Sequence, residues 1–504
     1  MEDVLQNAPV VETAEGSVQG VDRDGSYAFF GIPYAEAPVG GLRFAAPQAR
    51  QPWTGMFDAT EPGATPLVRE MPDTLIPEPS VEGEDILNVN VFTPDLAPDR
   101  PMPVLFWIHG GGFQTGSPVG PWYHGESFNR DGIVVVTCSY RLGFDGFGWV
   151  PGTEKNRAVE DWLAALQWVQ RNIGAFGGDP KNVTIGGQSA GATAVLTLLT
   201  LPTAQSLFHA VWASSPAEGQ VPLTQATART YRMAEELGIH ATLEEFSAIS
   251  RDDMFDAQAA ASAPEGRTVL EKIRSQLAMT MPFGPIVDGN LIPDQMLEQI
   301  RLGVGADKPL VIGSNLDELR GISDALKGPI GAVPAQVVLR LMGLRGEELR
   351  KYVEDNGDGL ANANEVGTRY ATDVVFRSQV LKVAQARAAF DPSSSRTWVY
   401  SFEWPSPVHE GAIHCVDVPF FFDVLEADGV TKLLGEDAPE ELAEQVHGEA
   451  VSLVKDGTVD WPQWDASNRM VRVFDVEQDS SSPDGDGPEA FVRRAGYSDV
   501  DALV

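Results

Sequence analysis

Residues 183 to 192 read VTIGGQSAGA, and this decapeptide constrains the fold more than any other stretch of the chain. The β-formers Val183, Thr184 and Ile185 run directly into small residues, and alanine- and leucine-rich sequence suited to a helix follows. Only small side chains let a backbone turn so tightly, and one serine, Ser189, stands at the tip. Gly187, Gln188, Ser189, Ala190 and Gly191 fit the G-x-S-x-G pattern, in which a strand-to-helix turn holds a serine hydroxyl exposed above a sheet. A serine in a glycine-rich turn is also a common structural feature, so the rest of the chain has to supply partners for any chemistry.

The surrounding sequence predicts the sheet that such a turn requires. Short apolar runs at VLFWI (104–108), IVVVT (133–137), NVTIG (182–186), PLVIG (309–313) and TWVYSF (397–402) have the length and β-branching of buried strands. Between the second and third lies NRAVEDWLAALQWVQRNI (156–173), where Ala158, Trp162, Ala165, Leu166, Val169 and Ile173 recur at helical spacing and form one apolar face. Strands alternating with helices predict an α/β fold with a mostly parallel sheet covered on both sides. A 504-residue chain that is 43% hydrophobic can bury a core of that size. The polar, acidic segment DVEQDSSSPDGDGPEA (475–490) is expected to be a mobile loop.

Charge and cysteine content narrow the function. With 72 acidic against 36 basic residues the formal net charge is -36, a field that repels phosphate backbones and anionic lipid surfaces. Neither nucleic acid nor a membrane is an expected partner. Such acidity also suits the steering of a cationic substrate, although a solvated acidic surface is the blander explanation. Two cysteines, Cys138 and Cys415, cannot build a disulfide framework, which points to a reducing compartment. The opening MEDVLQNAPV has no basic segment followed by an apolar one, and no apolar run approaches the ~18 residues needed to span a bilayer, so a soluble, cytoplasmic protein is expected. No HExxH, Cys/His cluster or dinucleotide fingerprint is found, so neither a metal nor an organic cofactor is expected.

Ser189 needs donors for an oxyanion, a base, and an acid to orient that base. WIHGGGF (107–113) follows an apolar run, and its successive glycines let backbone N–H groups converge without side chains in the way. Among seven histidines, His109 belongs to this loop, and His124, His209, His240 and His447 lie in segments without obvious loop chemistry. His414 sits in EGAIHCVDVPFFF (410–422), a turn ahead of an apolar run and downstream of the serine, with His409 as its competitor. The acid falls in GSNLDEL (313–319), just past the end of a strand, where composition leaves Asp317 and Glu318 both open.

These motifs also carry a resemblance. FGIPYAEAPVGGLRF (30–44), GEDILNVNVFTP (83–94), WIHGGGF, SYRLG (139–143), FGGDPKNVTIGGQSAG (176–191), FGPIVDG (283–289), SNLDE (314–318), GAIHCVDVPF (411–420) and WPQW (461–464) are similar, block by block, to the type-B carboxylesterase family. That branch of the α/β-hydrolases includes cholinesterases and bacterial para-nitrobenzyl esterases. The resemblance implies one catalytic domain over residues 1–504, with a small N-terminal sheet and helical insertions forming an active-site gorge. It implies Ser189 as nucleophile, His414 as base and Glu318 as the acid, with the backbone N–H groups of Gly111, Gly112 and Ala190 as oxyanion hole. Two structural ion pairs follow from it as well, Arg43 with Glu84 and Arg141 with Asp161. The implied activity is hydrolysis of carboxylic esters, with short-chain, aryl or bulky-alcohol esters as small-molecule substrates. A carbamate or amide hydrolase using the same residues is the alternative, and a non-catalytic binding protein on the scaffold a distant one. A monomer or weak homo-oligomer is expected.

The chain departs from the family pattern at three places. Gln188 replaces the glutamate usual before the nucleophile, Ile86 and Thr65 stand where secreted relatives carry a loop disulfide, and Leu319 replaces the glycine that often follows the acid. Cys415, beside His414, is expected to be a small buried residue. Phe113, Trp122, Trp212 and Phe283 are candidates for a gorge lining or for core, and the segments 212–223, 264–284 and 316–330 for the substrate pocket.

Overall fold

The structure is a computed structural model that describes all residues except 1–7, 24, 70–73, 264–270, 272–280, 321–333, 357–362, 392–394, 477–491 and 494. The expected acidic loop therefore falls outside the described residues from 477 onward, as do most of the two later pocket segments.

Strands β1 (Val10–Glu12), β2 (Ser17–Gln19) and β5 (Met56–Asp58) form a small N-terminal sheet in the order β1-β2-β5. Among the described residues the main sheet has eleven strands. Its seven central members are β8 (Val134–Cys138), β7 (Met102–Ile108), β9 (Gly178–Gln188), β10 (Ala210–Ser214), β13 (Leu310–Asn315), β14 (Thr397–Phe402) and β15 (Val471–Phe474), and neighbours among them pair in parallel. Antiparallel strands close both edges: β6 (Asn88–Thr93), β4 (Tyr27–Pro33) and β3 (Val21–Asp22) beyond β8, and β16 (Val492–Arg493) beyond β15. A parallel pair, β11 (Val221–Pro222) with β12 (Ile286–Val287), stands apart. All five apolar runs read from the sequence are strands of the main sheet.

Both faces of the sheet are buried, which is why its strands read as continuous apolar runs. Along β7, Val104, Phe106 and Ile108 join one core while Leu105 and Trp107 join the other, as a period of two requires. The helix Arg157–Asn172 covers the first core with the apolar face expected of it. The helix Glu440–Asp456 covers the second through Leu442, Val446, Ala450 and Leu453. Among the described residues no helix is long and apolar enough to cross a membrane.

One of the two implied ion pairs forms. Arg141 and Asp161 are buried and meet through two side-chain hydrogen bonds, Nη2 to Oδ1 at 2.6 Å and Nε to Oδ2 at 2.9 Å, beside a third from the Arg141 backbone N–H to Oδ2 at 3.1 Å. Arg43 does not pair with Glu84. Its guanidinium forks instead onto Asp145, at 3.0 and 3.2 Å, and donates to Ile249 O, while Glu84 points to solvent. A fork matched by both oxygens of one carboxylate is the stronger arrangement, and Asp145 in the first turn of the helix Gly143–Phe147 offers it.

Candidate active site

Every sequence-predicted site residue sits at or beyond the C-terminal end of a parallel strand. The glycine loop leaves β7, Ser189 follows β9, Glu318 follows β13 and His414 lies beyond β14. In open sheets of this kind, ligands bind at that edge.

Ser189 has φ 57° and ψ -122°, a conformation costly for an L residue. Its N–H donates to Ser214 O at 2.9 Å, and its carbonyl accepts from Thr193 N–H at 3.0 Å, so strand and helix hold the turn from both sides. The flanking glycines are forced by contact: a Cβ on Gly191 would lie 2.0 Å from Ile108 O, and one on Gly187 would lie 2.4 Å from the Gly191 carbonyl carbon. Gly111 and Gly112 have φ of 103° and 60°, and their N–H groups find no partner among the described residues. The N–H of Ala190, first residue of the helix Ala190–Leu199, belongs to the set that a helix leaves without an internal acceptor. Behind the loop, His109 stacks on Tyr140 with ring centroids 4.6 Å apart and places Nδ1 2.9 Å from Gly110 O. Burial pushes its pKa down to about 4, so it is a neutral prop at ordinary pH.

Glu318 and His414 meet directly. Glu318 Oε2 lies 2.6 Å from His414 Nδ1, its Oε1 accepts from Asn315 N–H at 2.8 Å, and its backbone carbonyl accepts from His414 N–H at 3.0 Å. The neighbouring Asp317 is turned away, accepting from Ala412 N–H at 3.3 Å and facing Arg320. His409 lies in the preceding turn, its N–H bonded to Ser406 O. Burial disfavours charge on His414, but the Cys415 sulfur and the Glu318 carboxylate favour it and prevail, so the imidazole titrates well above its ordinary value.

Among the described residues no hydrogen bond joins Ser189 Oγ to His414. The ring's Nε2 instead lies 3.2 Å from Gln188 Nε2. With Nδ1–H donated to Glu318, Nε2 of the neutral ring accepts from the Gln188 amide as placed, and a rotated amide turns its oxygen to the imidazolium instead. The other amide atom, Gln188 Oε1, is buried without a partner.

Two further side chains, Phe376 and Asp417, belong to this group without having been singled out by the sequence. The Phe376 ring packs on His414 at 4.8 Å, from a π-helical turn, Asp373–Arg377, that ion pairs of Arg377 with Asp373 and Asp499 hold in place. A π-turn inside a longer helix often marks a functional site, but periodicity does not reveal one. Asp417, pushed up to about 6 by burial and by Glu318, accepts from Asn315 Nδ2 at 3.2 Å. Cys415, with φ 68°, is the small buried residue expected, and it also lines the site. Ser189, His414, Gly111, Gly112 and Glu78 share with it a cavity of about 210 Å³. Phe113, Trp122, Trp212 and Phe283 are all buried and none lines that cavity. Phe113 packs on Phe147 and Trp162, Trp122 donates to Asp428 O, Trp212 packs on Tyr400 and Phe421, and Phe283 on Phe144.

A profile described as the carboxylesterase family matches residues 7–458. The chain belongs to the carboxylesterase family. This carboxylesterase is 31% identical over 487 residues to the para-nitrobenzyl esterase of Bacillus subtilis (strain 168), covering 93% of this chain and 95% of that one. It is 32% identical over 528 residues to the phenmedipham hydrolase of Pseudarthrobacter oxydans, covering 94% and 98%. Among solved structures it superposes on a PNB esterase with a TM-score of 0.82 at 27% identity, covering 99% of this chain and all of the other. A carboxylesterase of Geobacillus stearothermophilus follows with a TM-score of 0.77 at 29% identity, covering 98% and 99%. The carboxylesterase thus has the α/β-hydrolase fold and is a carboxylic-ester hydrolase acting on small-molecule esters.

Proposed function

We propose that this carboxylesterase works through Ser189 as nucleophile, His414 as general base and Glu318 as the group that orients the base, cleaving short-chain, aryl or bulky-alcohol esters by way of an acyl-enzyme. The observation that carries the proposal is the 2.6 Å contact between Glu318 Oε2 and His414 Nδ1 in the cavity that Ser189 lines. That contact commits the ring proton to Nδ1 and leaves Nε2 as the basic atom facing the serine side.

His414 Nε2 takes the hydroxyl proton as Ser189 Oγ attacks the ester carbonyl. The tetrahedral oxyanion is held by the N–H groups of Gly111, Gly112 and Ala190, where loss of one donor costs about 3 to 4 kcal/mol of barrier. Collapse expels the alcohol, which receives its proton from His414. Water then attacks the acyl-enzyme through the same base and frees the acid. Serine–histidine contacts of this kind are often loose until substrate binds, so the Gln188 contact to Nε2 is one that substrate binding exchanges for Ser189.

Single catalytic use of the whole chain is part of the proposal, since Glu318 and His414 are 96 residues apart and meet. The two cysteines are buried and free, which supports a reducing, cytoplasmic setting. The test is hydrolysis of para-nitrophenyl acetate and butyrate by the purified chain and by Ser189→Ala, with turnover expected only in the first. The likeness to a phenmedipham hydrolase makes phenmedipham the second substrate to measure, and its turnover in preference to both simple esters would move the substrate class.

A further inference from the structure

Arg229 stands on the inner face of the helix Leu223–Leu237, in line with Ala226, Thr230 and Met233, and is only 4% exposed. Other buried arginines of the chain have their partners. Arg141 meets Asp161, Arg377 meets Asp373 and Asp499, and Arg157 and Arg387 donate to backbone carbonyls. Arg229 has none of this. Among the described residues no carboxylate pairs with it, and its Nε is buried without a hydrogen-bond partner.

The guanidinium lies over the Phe283 ring, 5.5 Å from the centroid, a contact that offsets part of the lost hydration but brings no negative charge. The charge that acts on it has its own sign: burial, and then Arg232 three residues along the helix, push its pKa down to about 10. At neutral pH the group is still a cation. An enclosed cation without a counter-charge is costly to keep unless an anion reaches it.

The space beside it sets what that anion can be. Arg229 lines a cavity of about 10 Å³ together with Phe144, Phe147, Trp149 and Phe283, and none of the residues around it lines the cavity of Ser189. That is room for about one particle of the size of water. A carboxylate, a phosphate or an organic anion is too large. Thr230 turns its hydroxyl onto the Trp149 carbonyl, so the guanidinium sets the charge of the cavity. A water molecule fills the space but leaves that charge unbalanced, whereas a monatomic anion does both, and the positive edges of aromatic rings tolerate it. The net charge of -36 opposes anions at long range, yet surface charges are screened beyond about 8 Å at physiological ionic strength, and an ion in this cavity touches its partner.

We propose that Arg229 and the cavity beside Phe283 form a binding site for a single halide ion, with chloride as its ordinary occupant. The ion sits between the helix Leu223–Leu237 and residues Pro282–Gly284, next to the β11–β12 pair, where Val221 N–H donates to Pro285 O at 2.8 Å. It therefore braces the packing of that helix on the segment that leads into β12.

The experiment reads the chloride NMR line width of the full chain titrated with sodium chloride, with sodium gluconate holding the ionic strength constant. Wild type should broaden the line saturably, bromide should displace that broadening, and acetate should not. Arg229→Gln should weaken binding by about a hundredfold, the scale of one lost contact between unit charges in a partly screened site. No excess broadening by wild type, or broadening that Arg229→Gln leaves unchanged, would overturn the proposal, and displacement by acetate as readily as by bromide would overturn the halide assignment. If the variant does not fold, wild-type crystals grown in bromide decide: an anomalous peak in contact with Arg229 supports the site, and its absence overturns it. Neither readout depends on ester hydrolysis.

Discussion

The amide of Gln188 reaches the ring of His414, Nε2 to Nε2 at 3.2 Å, at the atom that has to accept the serine proton. An amide can offer either N–H or carbonyl oxygen at that point, so it tolerates both the neutral ring and, after rotation, the imidazolium. A glutamate tolerates chiefly the second. Gln188→Glu should therefore raise the His414 pKa and shift the rising limb of the kcat/KM profile to higher pH by about one unit, the size expected of one adjacent opposite charge. A limb that stays in place would show that the 3.2 Å contact has no electrostatic consequence.

Glu318 holds the other side of the same ring. Because the folded His414 pKa stands above the ordinary imidazole value, activity should rise only as pH passes that raised value, since the base must be neutral to work. Glu318→Gln keeps the shape but removes the charge and favours the wrong tautomer, and kcat should fall by about 10⁴-fold. The stability term has the matching sign. A raised pKa stabilises the fold below the unfolded imidazole value and loses that contribution as pH climbs through the folded one. Urea unfolding of wild type and Glu318→Gln should then differ more at acidic than at alkaline pH, and equal differences at both would contradict it.

Arg141 and Asp161 test the scaffold under the site. Both side chains are buried, and Arg141 also donates to Ala45 O at 2.6 Å, which ties the N-terminal region to the main sheet. Asp161→Asn leaves the guanidinium without its counter-charge and should cost about 3 to 5 kcal/mol of folding stability, read from the urea midpoint. A loss near zero would mean that the pair can be spared. Arg43→Ala, which breaks a partly exposed pair, should cost well under half as much.

How far the sequence reveals this arrangement depends on the range of the interaction. The turn at Ser189 is legible because Gly187 and Gly191 answer to backbone atoms a few ångströms away, and the central strands because a sheet buried on both faces needs unbroken apolar runs. The partner of Arg43 is not legible: Glu84, Asp85 and Asp145 are equivalent in composition, and only loop geometry gives Asp145 to Arg43 and Asp85 to Arg50. Phe113, Trp122, Trp212 and Phe283 show the same limit, since the apolar character that suits a gorge wall suits a core equally. Phe376 and Arg229 escape notice for the opposite reason. Neither has a local pattern, and each gains its meaning from contacts across the fold, with His414 and Phe283.

The central claim is that Ser189 carries the acyl group, and one measurement tests it directly. The chain is mixed with a para-nitrophenyl ester or an organophosphate, quenched, and digested, and the adduct is mapped by mass spectrometry beside Ser189→Ala. The mechanism predicts a single adduct on the peptide containing Ser189, absent from the variant, with turnover lost to the same extent. An adduct on Cys415 or on any other residue, or a variant that hydrolyses esters as fast as wild type, would contradict it.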